Sequence, residues 1–144
     1  MYQPWKPLGH NLEAYPGLDV SIQSRSIKIV LTNWRDGNCY FALELSFKHA
    51  LAGFFIYDES TNHEGQIGMP ATTEFDNEAN SGNRYPAWVE RDSKRLALYA
   101  EYGKMNYQRI DSYFIEGQQI VLVIDVADAD PAVIELSSDS INRT

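Results

Sequence analysis

Alternation of apolar and polar side chains dominates the chain. Leu18, Val20 and Ile22 alternate with polar residues, and after "QSRS" the pattern resumes with Ile27, Ile29 and Leu31. A period of two places one set of side chains on each face of a strand. "QSRS" therefore marks a bulge or a tight turn. "RDGN" follows Trp34, and Asp-Gly between alternating runs signals a hairpin turn. "CYFALELSF" then puts Phe41, Leu43, Leu45 and Phe47 on one face, so a hairpin is expected from about 26 to 47.

Further on, "GFFIY" reads as a strand, although Gly53 leaves "KHALAGFFIYDE" ambiguous. "AWVERD" and "KRLALYAEYG" alternate again, with a break at Asp92-Ser93. "RIDSYFIEGQQIVLVIDVAD" holds two strands split at Glu116-Gly117. Ile120, Leu122, Ile124 and Val126 share one face and Val121 and Val123 the other, which predicts a central strand covered on both sides. "AVIELSS" is a last edge strand behind Pro131, where a missing N–H does no harm. No amphipathic helix longer than two turns stands out, residues 72–80 being the least poor candidate. The pattern predicts a single, mainly β domain over 1–144: an antiparallel β-sandwich or partly open barrel of about 7–9 strands, or alternatively an α+β fold with a short helix.

Residues 58–86 break this rhythm. The stretch carries six carboxylates, no base before Arg84 and little periodicity. Connections of this length are uncommon in compact domains and are often functional. Its glycines and asparagines suit turns, and Met69 and Phe75 are positioned to pin it to the body.

Composition narrows the picture. The 144 residues suffice for one core without a metal or disulfide, and the one cysteine, Cys39, excludes an internal disulfide. The opening residues lack a basic region followed by an apolar run, and the apolar runs are too short to cross a bilayer as helices. A cytoplasmic protein without membrane contact is expected.

The net charge is −8. Residues 84–109 are net basic, whereas residues 110–142 carry seven acids and no base. This balance disfavours nucleic acid, apart from a local patch at 91–95, and favours a protein partner with a basic surface.

The chemistry-bearing residues form no catalytic set. Asp76, Glu78 and Asn80 have the one-three-five spacing of a calcium loop, but Gly82 arrives one position late and the closing glutamate is absent. His63 lies among Asp58, Glu59 and Glu64 without a second histidine nearby. Cys39 has no nominated partner and reads as a core-filling thiol. There is neither a nucleophile elbow nor a phosphate-cradling loop. No cofactor is expected.

The expectation is a recognition loop on a β scaffold. The class is a non-enzymatic inhibitor of the type formed by immunity proteins and antitoxins, covering the basic active site of a toxin such as a nuclease. Its expected contacts are Glu59, Glu64, Glu74, Asp76 and Glu78, with Tyr85 and Trp88 as anchors. The acidic set Asp125, Asp128, Asp130 and Glu135 is a second surface. The competing expectation is a carbohydrate-binding or calcium-supported module that stacks sugars on Trp34, Tyr85 and Trp88.

Overall fold

A computed structural model describes residues 1–10, 12–13, 16–56, 85–97, 107–118 and 120–142. Among the described residues nine strands form two antiparallel sheets: β1 (Gln3–Pro4), β2 (Gly17–Gln23), β3 (Ser26–Arg35), β4 (Asn38–Phe47), β5 (Ala50–Ile56), β6 (Ala87–Glu90), β7 (Ile110–Glu116), β8 (Val121–Ala127) and β9 (Ala132–Leu136). A short helix, α1 (Ser138–Asn142), follows. The four-stranded sheet has the order β2-β3-β4-β9, and the five-stranded sheet β1-β6-β7-β8-β5. The mainly β expectation holds, and α1 is a single short turn of helix.

The turns explain the register. Asp36 and Gly37 both take positive φ, 52° and 78°, the conformation that a two-residue hairpin needs to match strand twist. The "QSRS" break is a two-residue turn as well, with Ser24 at φ 54° and Gln23 opposite Ser26. The β7–β8 turn closes through the Gly117 N–H bonding to the Ile120 carbonyl at 2.8 Å.

The inner faces of the two sheets meet in one core. Ile27, Ile29 and Leu31 from β3 and Leu43, Leu45 and Phe47 from β4 pack against Tyr113, Ile115, Leu122, Ile124 and Val126. At its centre Tyr113 makes edge contacts with Trp5 and Phe47, with ring centroids 4.9 and 5.1 Å apart. Such aromatic pairs add about 0.5–1.5 kcal/mol beyond area burial.

The centre of the five-stranded sheet is buried on both faces: every residue of β6, β7 and β8 is buried. Its outer face carries a second apolar cluster of Tyr2, Trp88, Phe114, Val121 and Val123. This is the doubly covered central strand that the two apolar faces of β8 predicted.

The beginning of the expected strand "KRLALYAEYG" is a turn, and its residues 98–103 lie outside the described residues. After Asp92, at φ 48°, the Leu96 N–H bonds to the Ser93 carbonyl and the Ala97 N–H to the Lys94 carbonyl. Ser93 drives this: its Oγ accepts the Arg95 N–H and donates to Glu90 Oε1. A serine side chain that serves the backbone locally competes with sheet pairing.

The far end of the four-stranded sheet is closed by a side chain. Beyond β9, Asn142 Oδ1 accepts the Cys39 N–H and Asn142 Nδ2 donates to the Cys39 carbonyl, both at 2.8 Å. The amide group thus stands in for one more residue of strand and fastens α1 to β4. Among the described residues no helix is long and apolar enough to cross a membrane.

Candidate functional site

The expected loop contacts Glu59, Glu64, Glu74, Asp76 and Glu78 lie outside the described residues, as do His63 and Asn80 of the histidine and calcium candidates. The two aromatic anchors are described, and both are engaged inside the protein. Trp88 is only 2% exposed and sits in the outer cluster of the five-stranded sheet, its indole N–H donating to the Tyr85 carbonyl at 2.8 Å. Tyr85 donates its hydroxyl to the Trp5 carbonyl at 2.8 Å, and burial pushes its phenol up to about 12. Alternation does place Trp88 away from the inner core. The covered outer face of this sheet takes it out of solvent.

Three bases of the 84–109 stretch, Arg91, Arg95 and Arg109, pair with carboxylates. At one end of the sandwich, Asp111 Oδ2 lies 3.1 Å from both Arg91 Nη1 and Arg109 Nε. The second contact is an ion pair without hydrogen-bond geometry, since Arg109 Nε has no hydrogen-bond partner. Asp130 Oδ1 bridges the same two arginines at 3.1 and 3.2 Å. Asp111 Oδ1 also accepts the Asp92 N–H, and Arg91 reaches the Tyr113 hydroxyl at 3.2 Å. Burial pushes the Tyr113 phenol up to about 12, with Arg91 opposing the shift.

A second network crosses the outer face of the five-stranded sheet. Glu90, Ser112 and Asp125 occupy one row across β6, β7 and β8. Ser112 Oγ donates to Asp125 Oδ1 at 2.6 Å, and Arg95 Nε donates to Asp125 Oδ2 at 2.7 Å. Glu90 receives Ser93 Oγ and lies 3.0 Å from the Met1 amino group. Tyr2 borders this row, and burial, reinforced by the Glu90 and Asp125 charges, raises its phenol far above the ordinary value. Two buried carboxylates thus face two cations. The row is internally balanced and fixes the turn after β6 to the sheet. It also removes Asp125 from the second acidic surface expected from the sequence, because Asp125 is buried.

The outer face of the four-stranded sheet is different. Trp34, Tyr40 and Ile134 are 46%, 40% and 51% exposed. Ile134 stands opposite Glu44 and Glu44 opposite Val30, while Trp34 lies further along β3, opposite Cys39. The Trp34 indole N–H donates to Thr32 Oγ1 at 2.8 Å, which fixes the ring beside Gly17. A Cβ on Gly17 would collide with Thr32 Oγ1, so glycine makes room across β2 for the hydroxyl that holds the indole.

Arg35 lies over the Tyr40 ring at 4.7 Å and pairs with Glu13 at 3.5 Å. The hydrogen bond from Tyr40 to Glu13 holds its phenol above the ordinary value. Lys28 pairs with Glu44 at 3.7 Å. The bases Lys28 and Arg35 therefore have acidic neighbours, Asp19 stands exposed opposite Val30 on this face, and Asp36 stands exposed in the β3–β4 turn, whereas Glu135 lies opposite the core residue Leu43 and 3.4 Å from His10 Nε2. Trp34 was singled out by its place beside a turn. Tyr40 had no distinguishing sequence signal, because a strand tyrosine reads as packing.

A cleft of about 220 Å3 lies beside the β4–β5 turn, lined by Arg25, His49, Leu51, Tyr107, Ala127 and Asp128. Its carboxylate, Asp128, accepts the Gln108 and Arg109 N–H groups at 3.0 and 2.7 Å and serves the backbone. Among the described residues no group of three or more His, Cys, Asp or Glu side chains could hold a metal ion. Cys39 is buried with its Sγ 3.4 Å from the Phe41 carbonyl. Comparison of the chain with protein-family models, curated proteins and solved structures gave no match.

Proposed function

We propose that this chain is a non-enzymatic protein-binding protein, an acidic inhibitor of the immunity-protein or antitoxin type that covers a basic surface of a cognate toxin. The outer face of the four-stranded sheet carries this reading: Trp34, Tyr40 and Ile134 stand exposed among the carboxylates Asp19, Asp36 and Glu44. Aromatic anchors with a polar rim are the usual anatomy of a protein interface. The partner it fits has an apolar patch ringed by lysine or arginine. A net charge of −8 would speed its association and make it salt-sensitive.

The engagement of Arg91, Arg95 and Arg109 in ion pairs supports a protein partner over nucleic acid, because these bases already face carboxylates. A cytoplasmic setting fits the single buried cysteine. Glu59, Glu64, Glu74, Asp76 and Glu78 remain part of the proposal as further acidic contacts.

The test is capture of the partner from the producing organism with the tagged chain, followed by association kinetics. Charge reversal at Asp19 and Asp36 together should slow association and flatten its salt dependence. An unchanged rate would remove these carboxylates from the interface. The exposure of Trp34 also suits stacking on a sugar ring. Calorimetric titration with oligosaccharides, giving heat that Trp34→Ala abolishes, would favour that second reading.

A further inference from the structure

Antiparallel sheets expose a row of unpaired backbone groups at each edge, and proteins usually guard long edges with lysine, proline, bulges or short strands. The edges here differ in this respect. β1 is two residues long, β5 carries a register shift between Ala50 and Ala52, and β9 follows Pro131 and runs into α1. β2 is seven residues long, pairs without a register shift, and contains neither lysine nor proline. Among the described residues no strand pairs with its outer side.

The phase of that edge follows from the turn. In a two-residue hairpin the flanking residues exchange both ladder bonds, and the pattern alternates from there. Gln23 and Ser26 flank the turn, so Gln23, Ser21 and Asp19 bond to β3. Leu18, Val20 and Ile22 therefore direct their N–H and carbonyl groups outward. An independent contact agrees: the carbonyl of Pro16, in the same phase, accepts the Gln118 N–H at 3.1 Å. The β7–β8 turn thereby occupies the beginning of this edge and leaves Asp19–Gln23 open. The centre of that stretch is Ser21.

We propose that two copies of this chain pair antiparallel through β2, about a two-fold axis at Ser21, to join their four-stranded sheets into one. The register is self-complementary. Val20 meets Ile22 of the other copy twice, and each pair exchanges two backbone bonds. Ile22, 58% exposed in the single chain, gains an apolar neighbour on the core side of the joined sheet. Asp19 faces Gln23 of the other copy. An axis at Asp19 would instead set two carboxylates against each other, which an acidic chain disfavours. The second copy is favoured over another protein's strand because one short stretch supplies both halves of every pair. The dimer would carry the Trp34 face twice on one continuous surface, a property that goes beyond the proposed inhibitor role.

The experiment is oxidative cross-linking of the full chain in a Cys39→Ala background. Ser21 of each copy would form a pair without mutual backbone bonds, the closer of the two antiparallel pair types, within disulfide reach. Ser21→Cys should give a disulfide-linked dimer under native conditions, and adding Ile22→Lys should abolish it. Gln23→Cys, which faces position 19 and not itself, should give none. No dimer from Ser21→Cys, a dimer formed equally by Gln23→Cys, or one indifferent to Ile22→Lys would overturn the proposal. Sedimentation velocity of the unsubstituted chain should shift toward dimer with concentration, and Ile22→Lys should remove the shift. A monomer throughout would also overturn it.

Discussion

Replacing Asp111 with alanine tests the reading of the arginine network as internal structure. The carboxylate is buried and accepts the Asp92 N–H at 3.1 Å while contacting Arg91 and Arg109 at 3.1 Å each. Losing one partner of a fully buried pair costs about 3–5 kcal/mol, because the other charge is stranded. Here Arg91 and Arg109 are 49% and 39% exposed at the side chain, so water and Asp130 recover part of that cost. The loss should be nearer the about 1.5–3 kcal/mol of hydrogen bonds to charged groups. For a domain of this size that is a fall in melting temperature of roughly 5–10 °C. Asp130→Ala is the internal control: its side chain is 71% exposed, and an exposed pair contributes about 0–1 kcal/mol. Urea and thermal denaturation of both variants decide. If Asp111→Ala costs no more than Asp130→Ala, the network does not hold this end of the sandwich.

Other variants probe separate parts of the account. Ser24 occupies a positive-φ turn position that favours glycine, so Ser24→Gly should raise the urea midpoint, while Gly37→Ala at φ 78° should lower it, each by about 1 kcal/mol. Asn142→Ala removes both bonds to the Cys39 backbone and should lower stability by about 1–2 kcal/mol, and thiol labelling of Cys39 should accelerate as α1 detaches. Tyr85 and Tyr113, raised from 10.0 to about 12 by burial, should stay neutral in the folded chain where unfolded tyrosines ionise. Because the folded values are the higher ones, the stability tied to them is complete below pH 10 and is lost as the pH rises from 10 toward 12. Absorbance titration of native and urea-unfolded protein checks this, and coincident curves would contradict it.

Local pattern carried the strands, and distance in sequence concealed the rest. The β3–β4 hairpin was legible because Asp36-Gly37 specifies the turn and the flanking alternation specifies the faces. β8 was legible because apolar residues on both faces admit few other environments. Leu96 was misplaced because its alternation with Leu98 outweighed, on paper, the effect of one serine: Ser93 Oγ captures the Arg95 N–H and starts a turn. The basic patch at 91–95 looked available to nucleic acid because the partners of Arg91 and Arg95, namely Asp111, Asp125 and Asp130, lie 20 to 39 residues further along the chain. Trp88 looked like an anchor because a turn-proximal tryptophan reads the same whether its face of the sheet is bare or covered. The outer face around Trp34 and Tyr40 emerged only when register set β9 beside β4.

The central claim is that the acidic face around Trp34 contacts a protein. It is tested most directly by capturing partners in parallel with the native chain and with Trp34→Ala/Tyr40→Ala, after confirming that both baits melt cooperatively. The account predicts a stoichiometric basic protein on the native bait, released by rising salt and absent from the variant. Retention of that protein by the variant, or no stoichiometric protein on either bait, would contradict it.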